Sequence, residues 1–158
     1  MQTMRLLIES MVVVVLAPGA GALDALVAST PSGRVRGVPA VTNVTAFLGI
    51  PFASKPERFR AAVGARWTET LNASRAGAAC PQAGKGDEIV GSEDCLVLNA
   101  WSSMVPGRAV LFYVHGGGFQ QGRATTAAEN LTRATGQVVC APGVAHARVL
   151  RWSFFTSE

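Results

Sequence analysis

The chain has 158 residues, of which 49% are hydrophobic and 15% charged, and it carries a net charge of +4. It is long enough for one domain with a real core and too apolar to be disordered. Its positive balance comes from singly spaced arginines (Arg34, Arg36, Arg58, Arg66, Arg108 and Arg133) with no basic stripe, which argues against a nucleic-acid partner.

Residues 1–22 have the layout of an export signal. Arg5 supplies a positive start, and Leu6 to Ile8 and Met11 to Ala17 supply an apolar core interrupted by Glu9 and Ser10. Ala20-Gly21-Ala22 is a small-x-small site for cleavage after Ala22. The apolar core is too short to span a bilayer, so secretion is expected and no stable membrane span. Asn43-Val44-Thr45, Asn72-Ala73-Ser74 and Asn130-Leu131-Thr132 are N-glycosylation acceptors, which suits the same route.

In chain order, Gly33 to Gly37 alternates between two glycines and Val41 to Phe47 is strand-like, which predicts a small antiparallel hairpin. Leu48 to Ala53 is broken by Gly49 and Pro51 and reads as a packed loop. Pro56 to Arg60 and Trp67 read as irregular chain with aromatic anchors. Cys80 and Cys95 then enclose a polar loop containing Gly84, Gly86 and Gly91. A disulfide across it would suit an oxidising compartment and stabilise by roughly 3 kcal/mol in the chain-entropy model. Cys140 is then left without a partner. Cys95 to Trp101 is strand-like, and Ser102 to Arg108 is a turn. Ala124 to Ala134 predicts a helix with Thr125 or Thr126 as N-cap, Glu129 within reach for a capping box and Gly136 as its stop. Gln137 to Cys140 opens a further strand.

The organising stretch is Ala109 to Phe119. Ala109 to Val114 is an apolar run without polar alternation, as in a strand buried on both faces of a parallel sheet. It stops in His115-Gly116-Gly117-Gly118-Phe119. Consecutive glycines let the backbone turn sharply and bring its N–H groups close to a ligand. Donors aimed beyond a strand's carboxyl end are what a developing oxyanion requires. The residues alone leave open a second reading, a glycine turn that merely leaves a core strand.

A series of segments in fixed order resembles the N-terminal part of the type-B carboxylesterases, the group of cholinesterases and secreted lipases. These are Gly33 to Gly37, Phe47 to Ala53, Arg58-Phe59, Cys80-Pro81-Gln82, Ser92 to Asn99 and His115 to Phe119. The resemblance runs from about Gly33 to Val139 and implies an α/β fold, the α/β-hydrolase fold, here incomplete. It also implies export, a Cys80–Cys95 disulfide and a carboxylic-ester substrate, with no cofactor. Carried over, the oxyanion hole takes N–H groups from Gly117 and Gly118, and a third donor follows the nucleophile. His115, Gly116 and Phe119 support the loop, His115 as a structural polar group and not as the base. Trp101 and Phe119 are expected near the pocket.

The chain departs from that pattern in its catalytic half. It contains no Gly-x-Ser-x-Gly elbow, and after the glycine loop its serines are Ser153 and Ser157 and its remaining histidine is His146. Nucleophile, acid and base are therefore all expected to be absent, and with them turnover. From Ala141 to Glu158 the sequence has neither helical nor strand period and reads like another frame or an unspliced intron. The expected organisation is a signal at 1–22, a partial hydrolase domain at 23–140 and a divergent tail at 141–158. Without later strands and helices, Leu111, Phe112 and Val114 are expected to lose burial, leaving a marginal fragment. The alternative function is a non-catalytic secreted binding module of the same family. Two histidines and three cysteines show no metal-ligand spacing, so no metal is expected.

Overall fold

The computed structural model describes residues 26–143, apart from Pro56, Arg58, Phe119, Thr125 and Thr126. The expected signal at 1–22 and residues 144–158 of the tail expected at 141–158 lie outside the described residues, whereas Ala141 and Pro142 of that tail belong to the last strand and pair with Asn99 and Leu98. In chain order the strands are β1 (Val27–Thr30), β2 (Gly33–Arg36), β3 (Val38–Val41), β4 (Val44–Pro51), β5 (Leu71–Asn72), β6 (Gln82–Ala83), β7 (Ile89–Val90), β8 (Val97–Ser102), β9 (Val110–Phe112) and β10 (Val138–Pro142). The helix α1 (Glu129–Thr135) lies between the last two strands.

A five-stranded sheet in the order β3-β4-β8-β10-β9 carries the fold. Its neighbours are antiparallel except β9 and β10, which run parallel, Leu111 opposite Val139 and Phe112 opposite Cys140. The period-2 alternation of side chains divides β4, β8 and β10 between two faces. Phe47, Ile50, Leu98, Ala100 and Cys140 meet on one face, with Ala28 and Val35 of the small β1-β2-β5 sheet packed over them. Val44, Ala46, Trp101, Val139 and Ala141 meet on the other, under Ala128 at the start of α1. Phe47 and Ile50 are each 1% exposed, a burial that stabilises by about 1.5–3 kcal/mol per side chain.

Leu48 to Pro51 corrects the expected loop: it continues β4. The register slips between Phe47 and Ile50, so one strand carries an extra residue there, and Gly49 takes φ 71°. The bulge explains how Phe47 and Ile50, three positions apart, reach the same face. Asn99 of β8, 1% exposed, holds it by accepting the Gly49 N–H through Oδ1 at 2.8 Å.

The expected hairpin is also re-paired. Gly33–Arg36 pairs with Val27–Thr30, and Val44–Pro51 pairs with Val38–Val41 around an exposed turn at Asn43. The helix starts later than expected, with Ala128 at the N-cap and no side-chain cap, and Glu129 stands in its first turn. The cap candidates Thr125 and Thr126 lie outside the described residues. Gly136 ends α1 in the left-handed conformation at φ 68°, as expected. Of the aromatic anchors, Trp67 packs against the core and donates its indole N–H to the Arg34 carbonyl at 2.7 Å, but Phe59 is fully exposed.

The apolar strand, whose composition reads as buried on both faces, shows the loss of burial expected at Leu111, Phe112 and Val114. Among the described residues β9 is paired on one side, at the edge of the sheet, with Leu111, Phe112 and Val114 exposed to 40%, 51% and 57%. Pairing with β10 fixes its direction; burial requires a neighbour on its other side.

Candidate functional site

The parallel pairing of β9 with β10 aims the glycine loop. Beyond Phe112, Tyr113 donates its N–H to the Cys140 carbonyl at 2.7 Å, which carries the ladder one residue further. The chain then leaves the sheet at the carboxyl end of β9 as His115-Gly116-Gly117-Gly118. Gly117 has φ 139° and Gly118 φ 60°, conformations that side chains rarely adopt. The Gly117 carbonyl accepts the N–H groups of Gln120 at 3.0 Å and Gln121 at 3.2 Å, closing a turn. A Cβ at Gly117 would overlap the Gln121 carbonyl, whereas one at Gly116 or Gly118 would meet open space. Among the described residues the Gly117 and Gly118 N–H groups donate no backbone hydrogen bond, on a turn where Gly118 is exposed and Gly117 half-buried.

His115 is half-buried at the head of this loop. Its Nδ1 lies 2.9 Å from the Gly116 carbonyl, which fits an Nδ1–H donor. Its Nε2 is buried and has no hydrogen-bond partner among the described residues. The ring packs against Gly122, φ 140°, where a Cβ would overlap it. A general base needs a nucleophile within hydrogen-bond reach. Phe119, expected to support the loop, lies outside the described residues, as do Ser153, Ser157 and His146.

Cys80 and Cys95 form a disulfide with Cα atoms 5.0 Å apart. The loop they close contains the hairpin of β6 and β7, and Gln82 of that hairpin reaches the glycine loop. Gln82 Oε1 accepts the Gly122 N–H, and its Nε2 donates to the carbonyls of Gly122 and Cys80, each at 2.9 Å. This contact was missed by reading the sequence, where Gln82 stood out only as part of the Cys80-Pro81-Gln82 segment. A side-chain-to-backbone pairing between residues 40 apart leaves no periodic signal.

The other predicted residues fall away from the loop. Asn43, Asn72 and Asn130 are all exposed, on the β3–β4 turn, in β5 and in α1. Trp101 is 4% exposed and lines an open groove of about 320 Å³ with Val38, Pro39, Leu48 and Ala127. That groove shares no lining residue with the glycine loop. Cys140 is a free, buried cysteine, and burial pushes its thiol up from 9.0 to about 11. Among the described residues no group of His, Cys, Asp and Glu converges as a metal site, and no helix is long and apolar enough to cross a membrane.

A model of the carboxylesterase family matches residues 24–142. Fumonisin B1 esterase of Sphingopyxis macrogoltabida is 40% identical over 108 residues, covering 61% of this chain and 20% of that protein. Human carboxylesterase 3 is 38% identical over 135 residues, covering 70% of this chain and 24% of that protein. The chain therefore spans about a fifth to a quarter of the length of these relatives. Among solved structures, Geobacillus stearothermophilus carboxylesterase EST55 superposes with a TM-score of 0.68 at 29% identity, over 77% of this chain and 26% of that one. The mixed sheet described above is thus an N-terminal portion of an α/β-hydrolase fold. With the match running from before β1 to the end of β10, the chain belongs to the carboxylesterase family.

Proposed function

We propose that this chain supplies the oxyanion-stabilising segment of a secreted serine ester hydrolase, and that a polypeptide of this sequence does not itself turn over esters. The observation that carries the reading is the turn at the carboxyl end of β9, where the Gly117 and Gly118 N–H groups have no backbone partner among the described residues. When a serine attacks an ester carbonyl, negative charge collects on the carbonyl oxygen, and preorganised N–H donors stabilise it more than the ground state. Each such donor contributes on the order of 3 kcal/mol to the lowering of the barrier. The substrate class is a carboxylic ester, as the family implies. His115 orients the loop through its contacts with Gly116 and Gly122 and takes no proton from a nucleophile.

The predicted inactivity concerns residues 1–158 by themselves. Without a Gly-x-Ser-x-Gly elbow no oxyanion forms for the donors to hold. Export is supported by the layout of residues 1–22, the disulfide and the exposed acceptors Asn43, Asn72 and Asn130. Purified chain exposed to p-nitrophenyl butyrate and a fluorophosphonate probe tests the reading. Neither turnover nor labelled serine is expected, while butylphosphonate, tetrahedral and anionic like the intermediate, shifts the Gly117 and Gly118 amide resonances. A labelled serine overturns the inactivity, and unmoved glycine resonances overturn the oxyanion role.

A further inference from the structure

Gln82 joins two loops that are otherwise separate in sequence. Its carboxamide satisfies both backbone groups of Gly122 at 2.9 Å, in the manner of a neighbouring strand, while its second Nε2 hydrogen is directed to the Cys80 carbonyl. On one side the series of contacts continues to the disulfide, because Cys80 is bonded to Cys95. On the other it continues through Gly122 to the His115 ring, which lies against the Gly122 Cα, and from His115 Nδ1 to the Gly116 carbonyl. Gly116 precedes the two glycines whose N–H groups have no backbone partner among the described residues. Among the described residues the loop is also supported by the turn from Gly117 to Gln121 and the β9 ladder that ends at Tyr113.

We infer that Gln82 is a positioning residue for the glycine loop: its carboxamide clamps Gly122 and, through His115, holds the Gly117 and Gly118 donors in place. The catalytic meaning of this clamp rests on the oxyanion reading above, but the clamp itself exists without any ligand. Its chemistry is specific, because Gly122 presents one donor and one acceptor and requires a partner with both. A methionine fills the same length and offers neither. A carboxylate offers acceptors alone and repels the Gly122 carbonyl, whereas a protonated carboxyl again offers a donor and an acceptor.

The test uses isotopically labelled, disulfide-intact chain and compares Gln82→Met and Gln82→Glu with the wild type by amide hydrogen exchange, corrected for intrinsic rates. Gln82→Met is expected to lower protection at Gly122 and Gln121 by about tenfold while leaving Trp101 and Val139 in the sheet unchanged. Gln82→Glu keeps an acceptor for the Gly122 N–H but no donor to the two carbonyls, so it is expected to lose less protection than Gln82→Met near neutral pH and to regain it below the titration of a carboxyl at about pH 4. Unchanged protection at Gly122 in Gln82→Met overturns the inference. So does an equal loss across β8 and β10, which would make Gln82 a general structural residue. Absence of acid rescue in Gln82→Glu also overturns it, as does unchanged butylphosphonate binding by a chain whose loop has loosened. If the wild type binds no butylphosphonate, the oxyanion reading fails, while the exchange data still decide whether the clamp exists.

Discussion

Gly117 and Gly118 are adjacent, both in conformations favouring glycine, yet alanine at each is expected to act differently. Gly118 has φ 60°, the left-handed well, with nothing within 4 Å of a Cβ. Gly118→Ala therefore costs only the left-handed penalty of about 1–2 kcal/mol. Gly117 has φ 139°, outside the wells open to alanine, and its Cβ would overlap the Gln121 carbonyl. Gly117→Ala faces backbone strain of about 1–3 kcal/mol and must also move Gln121, breaking the Gln120 and Gln121 hydrogen bonds to Gly117, each contributing about 1 kcal/mol. Rearranging the turn is cheaper than keeping it. NMR of the two variants, with urea melts alongside, reads the difference. Gly118→Ala is expected to keep the Gln120 and Gln121 amide shifts and lose a little stability. Gly117→Ala is expected to displace those shifts and abolish the response to butylphosphonate. If both variants keep the turn, or both lose it, the steric argument is wrong.

Further outcomes follow from the core and the cysteine loop. Burial raises the Cys140 thiol from 9.0 to about 11, so the folded chain holds a proton that the unfolded chain releases. Its contribution is complete below pH 9.0, the unfolded value, and is lost as pH rises through about 11, amounting to about 3 kcal/mol. The difference in urea midpoint between wild type and Cys140→Ala should shrink across that window, and a difference independent of pH would contradict it. Asn99→Leu leaves the Gly49 N–H without its partner and is expected to lower stability by about 1–3 kcal/mol, read by thermal melting. A neutral result would show that the bulge does not depend on Asn99. Replacing Cys80 and Cys95 together by alanine opens a loop of sequence separation 15 and should cost roughly 3 kcal/mol in urea melts. Unchanged stability would mean that the loop is held by other contacts.

Much of the sheet was legible because alternation is a local signal. The strand read at Cys95 to Trp101 appears as β8 at Val97–Ser102, and Gly136 ends α1 where its freedom from a Cβ allows φ 68°. The order of the motifs led to the right family because their spacing survives even where single residues are ambiguous. The misreadings share a cause: each depends on which neighbours a segment meets in the sheet, which local alternation does not record. Leu48 to Pro51 looked like a loop because Gly49 breaks the alternation, yet Asn99, 50 residues away, supplies the hydrogen bond that holds the bulge. Gly33–Arg36 was read as one arm of a hairpin with Val41 to Phe47, yet it lies between Val27–Thr30 and the remote Leu71–Asn72. Ala109 to Val114 reads as buried from composition, but burial belongs to its neighbours and not to the strand itself. At the candidate site the glycines could be read and the clamp could not. Three glycines announce a backbone need, whereas a glutamine that pairs with a remote peptide unit has no local signature.

The central claim is that Gly117 and Gly118 form an oxyanion hole, and a titration of isotopically labelled chain with butylphosphonate tests it most directly. The account predicts saturable downfield shifts at the Gly117 and Gly118 amides, with the remote turn glycines Gly86 and Gly107 unmoved. Shifts spread over the arginine-bearing surface with the loop glycines silent would contradict it and leave the glycine run as a turn at the end of β9.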